Sequence, residues 1–269
     1  FFQAEDGIRA LVRSRGLGDV YKRQIYDSSG QIEVQSKDDD SPLTKADIAA
    51  HKTIIRGLAT IDPEVPVVSE EGRVGDPKKS ELAWLVDPLD GTKEFIKRNG
   101  MFTVNIALMK RMGPLWKPIF GVVHAPVSRT TWLGGIDVPA TRITDAETSE
   151  ISVNRQTNTQ TRLVASGSHR AERDEKFAKE LGEHELVRMG SSLKACVVAE
   201  GSADLYPRFG PTSCWDIAAA HAVVEAAGGF VLSPQCEPLV YDLVDEVLNP
   251  YFLVACSTKW NDIWSQNQD

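Results

Sequence analysis

Apolar and polar positions change rhythm several times along the chain. Up to Gln24 the apolar residues keep no steady period and glycines interrupt any helical run, so residues 1–24 are expected to be a non-native segment, the plainer reading being a poorly patterned N-terminal helix. Past Ile25 the pattern is that of a folded protein. A polar stretch, Asp38–Ser41, is closed by Pro42, and Thr44 can cap a helix with Ile48, Ile54, Ile55 and Leu58 on one side. Pro63 and Pro66 stop that helix, and Val65, Val67 and Val68 predict a short buried strand ending at Glu70 and Glu71. Residues 72–80 read as a polar loop. Leu82–Val86 predicts a second strand that runs into Asp87-Pro88-Leu89-Asp90-Gly91-Thr92.

Residues 102–109 and 119–133, rich in β-branched and aromatic side chains, predict antiparallel strands. Residues 137–160 are polar and read as an irregular crossover between two units. After it the pattern alternates. Strands at Leu163–Ala165, Leu186–Met189 and Ala203–Tyr206 are interleaved with helices ending near Leu181, over Ser192–Glu200, and over Trp215–Ala227 before Gly228-Gly229. This predicts an α/β class with layered α+β character: a strand-rich unit over 25–159 and an α/β unit over 160–269.

Composition narrows the function. Among 269 residues 42% are hydrophobic and 25% charged, an ordinary balance for a globular protein with a sizeable core. A net charge of −8 argues against a nucleic-acid polymer as partner. Cys196, Cys214, Cys236 and Cys256 show no metal-binding spacing and are expected to be reduced thiols. No apolar run suits a transmembrane helix, so a cytoplasmic protein is expected, with peripheral attachment to the inner membrane face as the other option.

The candidate chemistry lies in acids placed at element ends: Asp47, Glu70, Asp87, Asp90 and, much later, Asp216. Hard cations such as Mg²⁺ take carboxylate and carbonyl oxygens. Two metals roughly 4 Å apart can hold both the attacking water and the leaving oxygen of an in-line displacement. Asp87 and Asp90 are three apart across a proline-bent turn, so one could bridge two metals while the other closes on one. Thr92 can cap a helix starting near Lys93 whose free N–H groups would receive a phosphate, and Gly91 permits close backbone approach. The Thr92 hydroxyl could orient a water, particularly if paired with Asp47. Each acid also has a plainer reading: Asp47 as a capping-box residue, Glu70-Glu71 as solvated loop, Asp90-Gly91 as a turn, Asp216 as a complement to its helix dipole.

The segments VSEEG (68–72), WLVDPLDGTKEF (84–95) and WDIAAAHAVVEAAGG (215–229) resemble the three signature motifs of the inositol monophosphatase superfamily, and the likeness extends from about Ile25 to Val254. The resemblance implies an αβαβα sandwich, with an antiparallel sheet and a second, mixed sheet between helix layers. It implies Mg²⁺, two or three ions per site, bound by Glu70, Asp87, the Leu89 carbonyl, Asp90 and Asp216. Catalysis would fall to Asp47, Glu70 and Thr92, with Asp47 and Thr92 aligning and deprotonating the water. Gly91 and Thr92 would hold the phosphate, and Li⁺ would inhibit.

Within the superfamily, SPLTKADIAAH (41–51), DGTKEF, SGSH (166–169), GSSLK (190–194) and LYPRFGPTSCWD (205–216) are most similar to the 3'(2'),5'-bisphosphate nucleotidases. The implied reaction releases the 3'-phosphate of adenosine 3',5'-bisphosphate, giving AMP; 3'-phosphoadenosine 5'-phosphosulfate is a second candidate substrate. Substrate contacts are expected from Glu70, Leu89, Asp90, Gly91, Thr92, Ser168, His169, Ser191, Lys194, Arg208 and Asp216. Lys194 and Arg208 have a plainer reading as surface charges, His169 as a loop residue, and His51 and His221 as packing residues. Two departures stand out. The family's first helix is expected to be replaced by the segment 1–24, and Cys214 precedes the signature Trp215, where a thiol could confer sensitivity to oxidation. The competing readings are an inositol monophosphatase or fructose 1,6-bisphosphatase, a catalytically silent nucleotide- or Mg²⁺-binding sensor, and a generic acidic interaction domain. The chain is expected to be a monomer or homodimer.

Overall fold

The computed structural model describes Tyr26 and residues 34–36, 42–156, 160–166 and 172–268. Residues 1–24, the Asp38–Ser41 stretch and the Ser168-His169 loop lie outside the described residues. After a two-stranded ribbon, β1 (Val34–Ser36) and β2 (Pro42–Thr44), Thr44 opens helix α1 (Lys45–Ile61) with extended backbone at φ −117° and ψ 162°. The Thr44 hydroxyl accepts from the Ala46 N–H, and the Asp47 carboxylate accepts from the Thr44 N–H at 2.7 Å, closing the capping box. Ile54 and Leu58 are fully buried against the next layer, each worth about 1.5–3 kcal/mol in apolar burial.

That layer is an eight-stranded sheet. It comprises β3 (Val67–Ser69), β4 (Gly72–Val74), β5 (Leu82–Asp90), β6 (Thr103–Met112), β7 (Leu115–Ala125), β8 (Thr130–Gly135), β9 (Val138–Ile143) and β10 (Thr148–Glu150). Their order is β10-β9-β8-β7-β6-β5-β3-β4, antiparallel except for the parallel pair β3–β5. Side chains alternate across it. On β5, Trp84 and Val86 pack toward α1, whereas Ala83 and Leu85 join the larger core on the other side. By the same parity Asp87 falls on the side away from α1.

The second sheet holds β11 (Thr161–Ser166), β12 (His184–Met189), β13 (Leu205–Arg208), β14 (Phe230–Leu232) and β15 (Phe252–Ala255), in the order β12-β11-β13-β15-β14. It is mixed, with β11 parallel to β12 and β13, and β15 antiparallel to β13 and β14. Between the two sheets lie α4 (Leu193–Ala199) and α5 (Cys214–Ala226), which share one continuous core with both. Helices α3 (Glu172–Leu181) and α6 (Asn261–Gln266) cover the outer face through Phe177 and Trp264; the short α2 (Thr92–Ile96) follows β5. The layers therefore run helix, sheet, helix, sheet, helix.

Helix α5 lies almost directly on β7. A Cβ placed on Gly121 would come 2.0 Å from the Ala219 carbonyl oxygen, so only glycine permits this approach. Two expectations are corrected. Residues 137–160 are not simply irregular, because β9 and β10 extend the large sheet; Pro139 is tolerated where the β8–β9 register shifts, and Ala140 is buried. Residues 72–80 hold β4 and a 3-10 turn, Pro77–Lys79, capped by Asp76. The four cysteines are all free. Among the described residues no helix is long and apolar enough to cross a membrane.

Candidate active site

The strand carrying Trp84 to Asp90 cannot stay regular to its end, since Pro88 has no N–H to give to the β5–β6 ladder. The register shifts between Asp87 and Asp90, and the Leu89 N–H turns back onto the Asp87 carboxylate at 2.9 Å. Gly91 then sits in the left-handed region at φ 88° and opens α2. This corrects the expected cap by one residue. Thr92 is already helical, and its hydroxyl donates to the Leu89 carbonyl oxygen at 3.3 Å. The Asp47–Thr92 pairing is not formed either. The Thr44 hydroxyl donates to Asp47 Oδ2 at 2.6 Å, so that carboxylate is held in its own helix cap. Asp47 is nonetheless buried beside the turn, because its neighbour Ala46 packs with Leu89 and Phe95.

Asp216 arrives from the opposite direction. Ser213 caps α5, and its N–H donates to Asp216 Oδ2 at 2.9 Å. The first turn of α5 therefore faces the bent end of β5. One carboxylate oxygen from each of Asp87, Asp90 and Asp216 lies within 4.8 Å of the others. Asp87 is buried, Asp90 and Asp216 half-buried. Burial, together with the charges of Asp90 and Glu70, pushes the Asp216 carboxyl well above the ordinary carboxylate range. Glu70, at the end of β3, is not among the three grouped acids, yet its charge reaches Asp216.

Donor chemistry here suits a hard divalent cation: three converging carboxylates, all oxygen, with negative charge in excess at a half-buried site. A pocket of about 330 Å³ adjoins them. Its lining runs from Asp90, Gly91, Ser191 and Asp216 to Lys194 and Arg208, with Tyr206, Ile217 and Phe252 as its apolar part. Lys194, only 8% exposed, donates to the Ser191 carbonyl oxygen at 2.7 Å and lies 5.4 Å from the centre of the Tyr206 ring. Burial pushes its ammonium down to about 8, although the Asp90 charge opposes this. Arg208 is anchored by the Pro211 carbonyl oxygen at 3.0 Å. Lys194 and Arg208 are thus pocket residues rather than solvated surface charges. Ser168 and His169 lie outside the described residues.

His51 and His221 are hydrogen-bonded packing residues, to Ser69 Oγ at 3.0 Å and to Tyr241 Oη at 2.8 Å. The expected oxidation sensitivity at Cys214 finds no physical basis. The thiol is buried, and burial plus the Asp216 charge push its pKa far up, away from the reactive thiolate. Sequence reasoning missed Thr103, Asn105, Ser192 and Tyr206. Thr103 and Asn105 had a readable signal, two polar residues at alternate positions of the otherwise apolar stretch 102–109.

A model of the inositol monophosphatase family matches residues 12–260. The chain is 46% identical over 248 residues to the 3'(2'),5'-bisphosphate nucleotidase CysQ of Escherichia coli strain K12, covering 90% of this chain and 96% of that protein. The protein of the same name from Haemophilus influenzae is 32% identical, with 91% of each chain covered. Among solved structures, CysQ from Bacteroides thetaiotaomicron superposes with a TM-score of 0.80 at 35% identity, over 96% of this chain and 99% of that one. The suhB protein of Bartonella henselae, at 21% identity and a TM-score of 0.78, shares the fold over 98% of both chains. Layer order, acid cluster and these matches agree: the chain belongs to the inositol monophosphatase family.

Proposed function

We propose that this protein is a Mg²⁺-dependent phosphomonoesterase that converts adenosine 3',5'-bisphosphate and water to AMP and phosphate, with 3'-phosphoadenosine 5'-phosphosulfate as a second substrate. One observation carries the reading: the aspartate cluster opens onto a pocket that also holds Lys194 and Arg208. A substrate with anions at two ends matches a site with cation ligands at one end and fixed positive charge at the other. The curated relatives with the same activity in their names are matched over nearly their whole length.

In this reading Asp87, Asp90 and Asp216, with Glu70 and the Leu89 carbonyl, hold two or three Mg²⁺ ions. Bound there, Mg²⁺ would neutralise phosphate charge and acidify a water. The helix start at Gly91 and Thr92 receives the phosphate through its N–H groups. Asp47 takes the water proton through Oδ1, since Oδ2 is committed to Thr44. The water oxygen bonds to phosphorus and the bond from phosphorus to the ribose 3'-oxygen breaks; that oxygen takes a proton from a solvent water, and the proton held by Asp47 returns to solvent, so that bisphosphate and water give AMP and phosphate. Lys194 and Arg208, with the Ser168-His169 loop, hold the 5'-phosphate. Residues 25–159 supply most of the cation ligands, and residues 160–269 complete the site and bind the nucleotide. Li⁺ inhibits by taking a Mg²⁺ position without its charge.

The test is phosphate release from adenosine 3',5'-bisphosphate, inositol 1-phosphate and fructose 1,6-bisphosphate, each with and without Mg²⁺. The nucleotide should be preferred and the rate should vanish without the metal. Preference for either other substrate would move the protein to another branch of the family, and no release from any would leave a binding protein.

A further inference from the structure

We propose that the Gly190–Ser192 turn, clamped to the large sheet by Thr103 and Asn105, is the element that positions Asp90 for cation binding, with Ser191 and Ser192 as its positioning residues. The proposal rests on the metal reading above and concerns how one of its ligands is aimed.

The hydrogen bonds fall on one side of Asp90. Its Oδ2 accepts from the Ser191 hydroxyl at 2.6 Å and from the Ser192 backbone N–H at 2.6 Å, and the Ser192 hydroxyl lies 2.9 Å away. Thr103 Oγ1 and Asn105 Nδ2 stand farther from the same oxygen, each at 3.4 Å. All five groups address Oδ2 and none addresses Oδ1. A carboxylate held this way cannot rotate freely, and its second oxygen keeps its lone pairs for a cation. Such outer contacts fix the orientation and basicity of metal ligands.

The donors are themselves held. Thr103 Oγ1 is 2.6 Å from Ser191 Oγ, and Asn105 Nδ2 donates to Ser192 Oγ at 2.8 Å. Thr103 and Asn105 are completely buried and Ser192 nearly so. The Ser192 hydroxyl also reaches the main-chain oxygen of Asp216, so one serine touches both acids. The turn has no room to shift. A Cβ on Gly190 would meet the Met101 carbonyl oxygen at 2.9 Å, and one on Gly91 would meet Ser191 Cβ at 3.3 Å.

Ser191 adopts φ 55°, a conformation that costs a non-glycine residue energy. A glycine there would relieve the strain, but only a side chain can deliver the hydroxyl to Asp90. The Ser191 carbonyl also accepts from Lys194, so the turn that aims the cation ligand belongs to the pocket wall as well.

The experiment measures Mn²⁺ binding to metal-free protein by electron paramagnetic resonance, together with the melting temperature of the same samples. Ser191→Gly and Ser192→Ala should each weaken Mn²⁺ binding about 10- to 100-fold. Metal-free Ser191→Gly should melt no lower than the parent, because glycine accepts the backbone conformation without strain. Mn²⁺ affinity within about threefold of the parent in folded Ser191→Gly would overturn the proposal, whatever the melting temperature. Should Ser192→Ala fail to fold, Ser191→Gly decides alone. A parent protein that binds no Mn²⁺ is a separate result and would remove the metal reading itself.

Discussion

At the scale of single residues, the site sorts its charges by what surrounds them. Asp90 can be tested almost isosterically. Asp90→Asn removes the charge while keeping shape, so the circular dichroism spectrum should match the parent while kcat falls at least about a hundredfold, near 3 kcal/mol. A rate close to the parent's at saturating Mg²⁺ would reduce Asp90 to a turn residue. Arg208 is held open to the pocket by the Pro211 carbonyl. Losing one charge-assisted contact to a phosphate costs about 1.5–3 kcal/mol. Arg208→Ala should therefore raise KM for adenosine 3',5'-bisphosphate about 10- to 100-fold while changing KM for a small monophosphate little. Equal changes for both substrates would place Arg208 outside the specificity pocket.

At the scale of elements, the packing of α5 on β7 sets the geometry of the site, since Asp216 rides on that helix. Gly121→Ala would force a methyl onto the Ala219 carbonyl, with backbone rather than a flexible side chain in the way. Overpacking of this kind costs about 1–3 kcal/mol, to be read from the denaturant midpoint of unfolding. An unchanged midpoint would mean that the helix can lift from the sheet freely.

Elements also divide what the sequence discloses from what it hides. Local rules sufficed for the Thr44 cap, for the strand at Leu82–Val86 and for the alanine-rich α5. The order of acids along the chain, together with the motif resemblance, marked Asp87, Asp90 and Asp216 before any fold was in view. Pairing partners were not legible. Val138–Ile143 looks irregular because its polar residues and Pro139 obscure the alternation, and only β8 beside it makes it a strand. Glycine at position 91 rather than threonine at 92 opens α2 because a left-handed residue is required there, a fact of three-dimensional turn geometry. The serines on Asp90 come from about a hundred residues downstream, beyond the reach of any local pattern.

At the scale of the whole molecule, two linkages should be measurable. A cation bound only by the folded state stabilises it by mass action, so the melting temperature should rise with Mg²⁺ concentration and the rise should disappear in Asp90→Asn. A rise of equal size in that variant would locate the effect elsewhere. Acid stability depends on Asp204, buried where Asn154 and Arg162 converge on its carboxylate. Burial pushes its pKa up, but the hydrogen bonds from Arg162 and Asn154 outweigh that and hold it below 3.8. A depressed folded value stabilises above the unfolded one, and the contribution fades as pH falls through the folded value. Asp204→Asn should thus cost about 2 kcal/mol at neutral pH, and the gap to the parent should close in strong acid. A gap independent of pH would assign the loss to packing alone.

Residues Ile217 to Val224 of α5 are all buried, between the large sheet on one side and the second sheet on the other, with α4 alongside. A segment with no outer surface cannot expose its amides one turn at a time without separating the layers that enclose it. Hydrogen exchange along these residues should therefore report the opening of the entire molecule, while the first turn, at the cleft, exchanges by smaller fluctuations. Adding a divalent cation would then slow exchange at the far end of the helix, about two turns from any acid that binds it.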